Sequence, residues 1–241
     1  MIPDFHLHSS FSDDSDADMK DIMNQAISLG MKEICITDHY DMDFPNLEEA
    51  PDMHFDLPID EYYAYMSKIK EEYKDKIDLK IGIELGFMPS TIEKLNKFTT
   101  SHKEFDFYIG SLHVIDNMDP YYPKYFMDKD ETTAYYHYFH TILQVVKGFK
   151  GYNILGHLDY ILRYGPTKAD NFNFNDYKEV FYELFKMIIP EGKGIEVNTG
   201  GIYKGLGFAH PKLEILRMYK ELGGEIITLG SDAHTPNYIG H

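Results

Sequence analysis

Short apolar runs alternate along this chain with longer stretches in which apolar residues recur every three or four positions. The runs lie near residues 2–7, 33–37, 79–84, 105–112, 153–156, 194–198 and 225–230, and their length and apolar content predict buried strands. The intervening stretches predict helices. Asp18 stands where it can cap the first, which ends at Gly30, and Asp60 where it can cap the second, whose Tyr62, Tyr65, Met66 and Ile69 share a face. Pro89 opens a third before Ile92, Leu95 and Phe98, and further helices are expected over about 131–147, 175–189 and 211–222, the last two closing near Gly192 and Gly223. Strands and helices in strict alternation predict an α/β fold with a parallel sheet, and seven strands suit a barrel or a distorted barrel.

Composition narrows this little. A chain of 241 residues, 43% hydrophobic and 26% charged, with no repeat and no Pro/Gly/Ser-rich linker, is expected to form one domain over 1–241. After the last expected strand a helix would normally follow, and the sequence leaves open whether the barrel closes without it. The formal charge of −17 and the lack of a basic patch count against nucleic-acid polymers and anionic membranes as partners. No run approaches the roughly 18 apolar residues of a spanning helix. The single cysteine, Cys35 within Ile34-Cys35-Ile36, reads as a core residue in a reducing cytoplasm, and the first residues lack the pattern of a removable signal.

The chemistry lies at the strand ends. His6 and His8, Asp14, His39, Glu84, His113, His157, Asp232 and His234 each fall at or just after an expected strand. Imidazole and carboxylate hold divalent metals, and nine such groups exceed the three or four that one zinc ion takes, so a multinuclear centre is expected. In a strand, residues i and i+2 face the same way, so His6-Leu7-His8 can direct both rings at one ion. In (β/α) barrels the functional groups sit at the C-terminal ends of the strands, where closure gathers them. His102, His137 and His140 lie in helical stretches without such partners. His54 and His210 lie in loops and could line a pocket.

The order His-x-His, acid, Thr37-Asp38-His39, Glu84, His113, Gly156-His157 and Ser231-Asp232-Ala233-His234 resembles the polymerase and histidinol phosphatase (PHP) superfamily. The strings Phe5-His6-Leu7-His8-Ser9, Leu155-Gly156-His157-Leu158-Asp159-Tyr160 with Arg163, and Glu196-Val197-Asn198-Thr199 are similar to its histidinol-phosphatase branch. The resemblance implies a distorted, TIM-like (β/α)7 barrel carrying three divalent ions, with Zn, Mn and Fe equally open. It also implies a partition of the ligands: His6, His8, Glu84 and Asp232 on one ion, Glu84, His113 and His157 on a second, and Asp14, His39 and His234 on the third. Asp14 stands where some members carry histidine, and Asp13 and Asp16 are its possible substitutes.

Three such ions outweigh three carboxylate ligands, so the resemblance implies an anionic substrate, a small phosphate monoester cleaved by a metal-activated water. Glu84 and Asp232 are expected to serve catalysis. Arg163 is expected to clamp phosphate with its fork of donors, followed by Lys204 and by Asn198 at the end of the sixth strand. Gly200, Gly201, Gly205 and Gly207 lack the context of a nucleotide fingerprint and read as a flexible loop. The histidinol branch implies L-histidinol phosphate, whose cationic groups could meet a carboxylate of the acidic loop 40–58. A nucleotide phosphoesterase and a non-catalytic metal-binding protein are the alternatives.

Overall fold

A computed structural model describes residues 2–241. Its strands are β1 (Asp4–Leu7), β2 (Glu33–Ile36), β3 (His39–Asp41), β4 (Asp78–Gly86), β5 (Phe107–Ser111), β6 (Ile154–Leu155), β7 (Gly194–Asn198) and β8 (Ile227–Gly230). They pair in parallel in the order β1-β2-β4-β5-β6-β7-β8, with β3 running beyond β2 along the same neighbour, β4. The two ends of the sheet meet. Asp232 N–H donates to His6 O at 2.9 Å and His8 N–H to Ala233 O at 3.0 Å, which makes a nearly closed (β/α)7 barrel, TIM-like and distorted.

The apolar pattern does not predict β3, because only His39, Tyr40 and Asp41 form it. It exists because the chain breaks step at Thr37 and Asp38 and then resumes pairing. The Asp38 carboxylate accepts from Ser9 N–H, Ser9 Oγ–H and Ser12 Oγ–H, each at 2.7 Å, and so binds the loop after β1 to the break. In the resumed register His39 lies beside Glu84.

The helices follow the expected spacing with two adjustments. They are α1 (Met19–Ser28), α2 (Ile59–Tyr73), α3 (Ile92–Ser101), α4 (Glu131–Gly148), α5 (Lys178–Ile188) and α6 (Leu213–Glu221). Asp18 caps α1 as expected, its Oδ1 accepting from Lys20 N–H at 2.8 Å. Asp60 does not cap α2. Pro58 occupies that position, and Asp60 lies in the first turn, where its charge complements the helix dipole. Pro89 begins a short 3-10 turn, Pro89–Thr91, that leads into α3. Buried faces such as Met19, Ile22, Met23 and Ala26 on α1 and Phe181, Leu184 and Phe185 on α5 close over the outer side of the sheet. Phe139 of α4 packs on Phe181 at a ring distance of 4.7 Å. After β8 comes one 3-10 turn, Pro236–Tyr238, rather than a helix, and Ile227 on the outer face of β8 is left 48% exposed.

Candidate metal centre

All nine expected donors meet at the end of the barrel where the parallel strands finish. β1 directs His6 and His8 inward, β4 carries Glu84 and β3 presents His39, while His113, His157, Asp232 and His234 stand just past β5, β6 and β8. Glu84 is the hub. Its Oε2 lies 3.0 Å from His6 Nε2, 3.5 Å from His8 Nε2 and 3.1 Å from His39 Nδ1. Its Oε1 lies 3.2 Å from His113 Nε2 and 3.0 Å from His157 Nε2, and accepts from Ser111 Oγ–H at 2.6 Å. Asp232 Oδ1 lies 3.7 Å from His8 Nε2 and 3.6 Å from His234 Nδ1. Asp14 joins from the loop after β1, 3.0 Å from His234 Nε2 and 3.7 Å from His39 Nε2. Its neighbours point elsewhere. Asp13 accepts from His54 N–H at 2.8 Å and Phe55 N–H at 3.2 Å, and Asp16 is exposed.

The donor set fits metal ions by an independent criterion. His6 Nε2, His8 Nε2, His39 Nδ1 and Glu84 Oε2 are buried, mutually close, and without a hydrogen-bond partner. Leaving buried polar atoms unpaired costs about 1–3 kcal/mol each, and folded proteins rarely tolerate several together. Lone pairs converging at these separations suit a Lewis acid: bonds of about 2.1 Å put neighbouring ligands about 3.0–3.4 Å apart.

Two further carboxylates orient the rings. Glu196, on the inner face of β7, sets Oε1 2.6 Å from His6 Nδ1, while its Oε2 accepts from His157 N–H at 2.8 Å. Asp41, at the end of β3, sets Oδ2 2.7 Å from His113 Nδ1. A carboxylate on one ring nitrogen fixes a proton there and leaves the lone pair of the other free for a metal. Glycines make room for both. A Cβ at Gly86 would stand 2.0 Å from Asp41 Cγ, and one at Gly230 would stand 2.1 Å from Glu196 Oε1. Sequence reasoning assigned neither carboxylate a role. Glu196 carries a signal, a lone acid in the apolar run of β7, whereas Asp41 is one of several acids in the loop 40–58, with nothing in the sequence to single it out.

The electrostatics follow from this crowding. Burial opposes the charge of Glu84, but His6, His113 and His39 reverse that and hold its carboxyl well below the usual range. Burial likewise opposes charge on Asp232, and Lys204, His6, His234 and Arg163 overcome it and keep the carboxyl ionised. His8, facing burial and its neighbours His234, His39 and His6, is pushed well below the ordinary imidazole value, so it offers a neutral ring.

Above the donors opens a cavity of about 400 Å³. Arg163 and Lys204 bring two cations to it, with Arg163 Nη2 3.5 Å and Lys204 Nζ 3.7 Å from Asp232 Oδ2. Arg163 is buried beside the rings of Tyr160 and Tyr164, at 5.2 and 5.8 Å. Lys204 rides on a wide helical turn, Ile202–Leu206, so the glycine-rich segment is an ordered element and not the open loop expected. Asn198 departs further from expectation. It is fully buried behind the cavity, donating to Glu196 Oε2 at 3.2 Å and accepting from Gly200 N–H at 2.9 Å, so it braces the end of β7 and does not face the opening. His210 is buried against Asp159, and His54 is exposed outside the cavity lining.

The remaining lining is aromatic and apolar, with Phe44, Leu47 and Phe55 on one side and Tyr121, Tyr122, Tyr160 and Tyr164 on the other. Among the described residues Asp119 is the one carboxylate of the lining outside the donor cluster, and burial pushes its carboxyl up to about 6. Among the described residues no helix is long and apolar enough to cross a membrane.

Comparison with known proteins agrees with this geometry. The chain is 35% identical over 237 residues to the histidinol-phosphatase of Lactococcus lactis, covering 96% of this chain and 83% of that one. It is 30% identical over 243 residues to a probable histidinol-phosphatase of Clostridium acetobutylicum, covering 100% and 89%. The crystal structure of histidinol phosphate phosphatase from Lactococcus lactis, complexed with zinc, L-histidinol and phosphate, superposes with a TM-score of 0.86 at 34% identity, covering 98% of this chain and 87% of that one. The PHP domain matches residues 4–200. A parallel barrel whose strand ends deliver a shared glutamate, six histidines and two aspartates to one rim, with these relatives, makes the chain a member of the PHP domain family.

Proposed function

We propose that this chain is a metal-dependent phosphomonoesterase that hydrolyses L-histidinol phosphate to L-histidinol and phosphate, with residues 1–241 acting as one catalytic unit inside the reducing cytoplasm. The observation that carries the reading is the convergence of five imidazoles on the two oxygens of Glu84, with Arg163 and Lys204 set beside Asp232 at the cavity mouth. The related protein from Lactococcus lactis bears that activity in its name, and its structure holds zinc, L-histidinol and phosphate.

His6, His8, Glu84 and Asp232 would hold one divalent ion, Glu84, His113 and His157 a second, and Asp14, His39 and His234 a third. Zinc is favoured by the related structure, with Mn and Fe suited to the same donors. Bound divalent ions supply an acidified water and neutralise phosphoryl oxygens. The chain's own groups do the rest. Arg163 and Lys204 would pair with the outer phosphate oxygens, and their charges would grip tighter as negative charge builds during transfer. Asp232, in contact with both, would accept the proton that the attacking water gives up and return it to the departing alkoxide oxygen. Tyr160 and Tyr164 pack beside the Arg163 guanidinium and limit its motion, which lowers the entropy lost on meeting the substrate.

The test pairs elemental analysis of the purified protein with turnover of L-histidinol phosphate. Co-purified divalent metal, activity lost on chelation and restored by zinc or manganese, and a preference for L-histidinol phosphate over nucleoside monophosphates are expected. A preference for nucleotides would overturn the substrate assignment.

A further inference from the structure

We infer that Asp119 is the specificity-determining carboxylate of this cavity, placed to receive the ammonium group of an aminoalkyl phosphate. The inference rests on the phosphatase reading above and extends it from the phosphate to the rest of the substrate. Among the described residues three carboxylates line the cavity, and two of them, Asp14 and Asp232, belong to the donor cluster. Asp119 does not. Its Oδ1 accepts from Tyr121 N–H at 2.8 Å, and among the described residues no lysine, arginine or histidine pairs with it. Both cations of the lining, Arg163 and Lys204, are drawn onto Asp232 instead. The cavity is therefore polarised: its lysine and arginine are drawn onto the donor cluster, and the Asp119 carboxylate has no ion-pair partner among the described residues.

An unbroken row of rings joins the two poles. His157 packs on Tyr160 at 4.7 Å, Tyr160 on Tyr164 at 4.9 Å, and Tyr164 on Tyr121 at 5.2 Å, and it is Tyr121 whose N–H holds Asp119. A ligand with a phosphate, a separate cation and a flat heterocycle that can lie against these rings matches this lining. Aromatic faces also attract the cation, while a base without positive charge would leave the Asp119 carboxylate desolvated and unpaired. That disfavours nucleotides on a ground separate from the metals.

The experiment measures kcat and KM of the metal-loaded wild-type enzyme and of Asp119→Asn with L-histidinol phosphate, its deamino analogue and p-nitrophenyl phosphate, and binding of L-histidinol by calorimetry. Losing a charged hydrogen bond should lower the preference for L-histidinol phosphate over the deamino analogue by about 10- to 100-fold, mostly through KM, and weaken L-histidinol binding by a similar factor. Equal losses on all three esters would mark Asp119 as merely structural and overturn the inference, as would an unchanged preference. Cleavage of p-nitrophenyl phosphate with no turnover of L-histidinol phosphate by the wild type would instead defeat the substrate assignment. In that case the Asp119→Asn effect on 2-aminoalkyl against alkyl phosphates decides the inference alone.

Discussion

Replacing Glu196 by glutamine should weaken metal binding although Glu196 lies outside the nine donors, and the geometry says by how much. Both carboxylate oxygens of Glu196 are committed, Oε1 to His6 Nδ1 at 2.6 Å and Oε2 to the His157 N–H at 2.8 Å. Glutamine keeps the shape but turns one acceptor into a donor. If its NH2 faces the His157 N–H, two donors confront each other in a fully buried site, at a cost of about 1–3 kcal/mol. If it faces His6 Nδ1, that nitrogen must accept, and the proton moves to Nε2, the atom 3.0 Å from Glu84 that would otherwise offer its lone pair. Either choice penalises the loaded state. Carboxylates that orient metal-bound histidines typically contribute about 10- to 100-fold in affinity, equivalent to about 1.4–2.7 kcal/mol, so the two routes agree in size. Competition with a chromophoric zinc chelator, run beside thermal melts of metal-free and metal-loaded protein, measures this directly. A Glu196→Gln protein with wild-type zinc affinity would refute the reasoning and leave His6 oriented by something else.

Other perturbations separate the parts of the site. Glu84→Ala should abolish bound metal and activity together, since both oxygens serve several imidazoles, and elemental analysis showing a full metal complement would contradict that. Arg163→Ala should keep its metals yet raise KM and lower kcat, as expected for a contact that tightens in the transition state; unchanged steady-state kinetics would remove Arg163 from the site. Asp119→Asn should stabilise the metal-free protein, and increasingly so as pH rises. The Asp119 carboxyl titrates at about 6 when folded against 3.8 otherwise, so between those values the folded state holds the extra proton and wild-type stability falls as pH rises. The advantage of the variant should be absent near pH 3, grow through pH 6 and level off at about 2 kcal/mol, after allowance for solvent screening, and denaturant melts across that range check it.

The donors were legible in the sequence because each follows an apolar run, and a parallel barrel converts "end of a run" into "near the rim". Glu84 was legible for the same reason: it closes the run 79–84 as its only acid. What escaped was set by tertiary pairing. Asp41 orients His113 only because β3, three residues without an apolar signature, resumes pairing after the break at Asp38. Asn198 shares the inward face of β7 with Glu196, but the turn at Gly200 folds back over its amide and takes it from the cavity. Lys204 reaches the rim because that turn coils into a wide helix, a shape that the flanking glycines permit without dictating. Asp60 does not cap the helix because Pro58 already fixes the helix entry two residues earlier.

The metal donors stand at or soon after strand ends, whereas Asp119 and Tyr121 belong to the long connection that follows β5. Selection can therefore rewrite which esters are accepted by recasting the segments 42–58 and 115–128, leaving the hydrolytic apparatus intact. A library randomised in those segments alone should yield enzymes with new preferences at little cost in turnover, while one randomised along β1, β4 or β7 should yield chiefly dead protein.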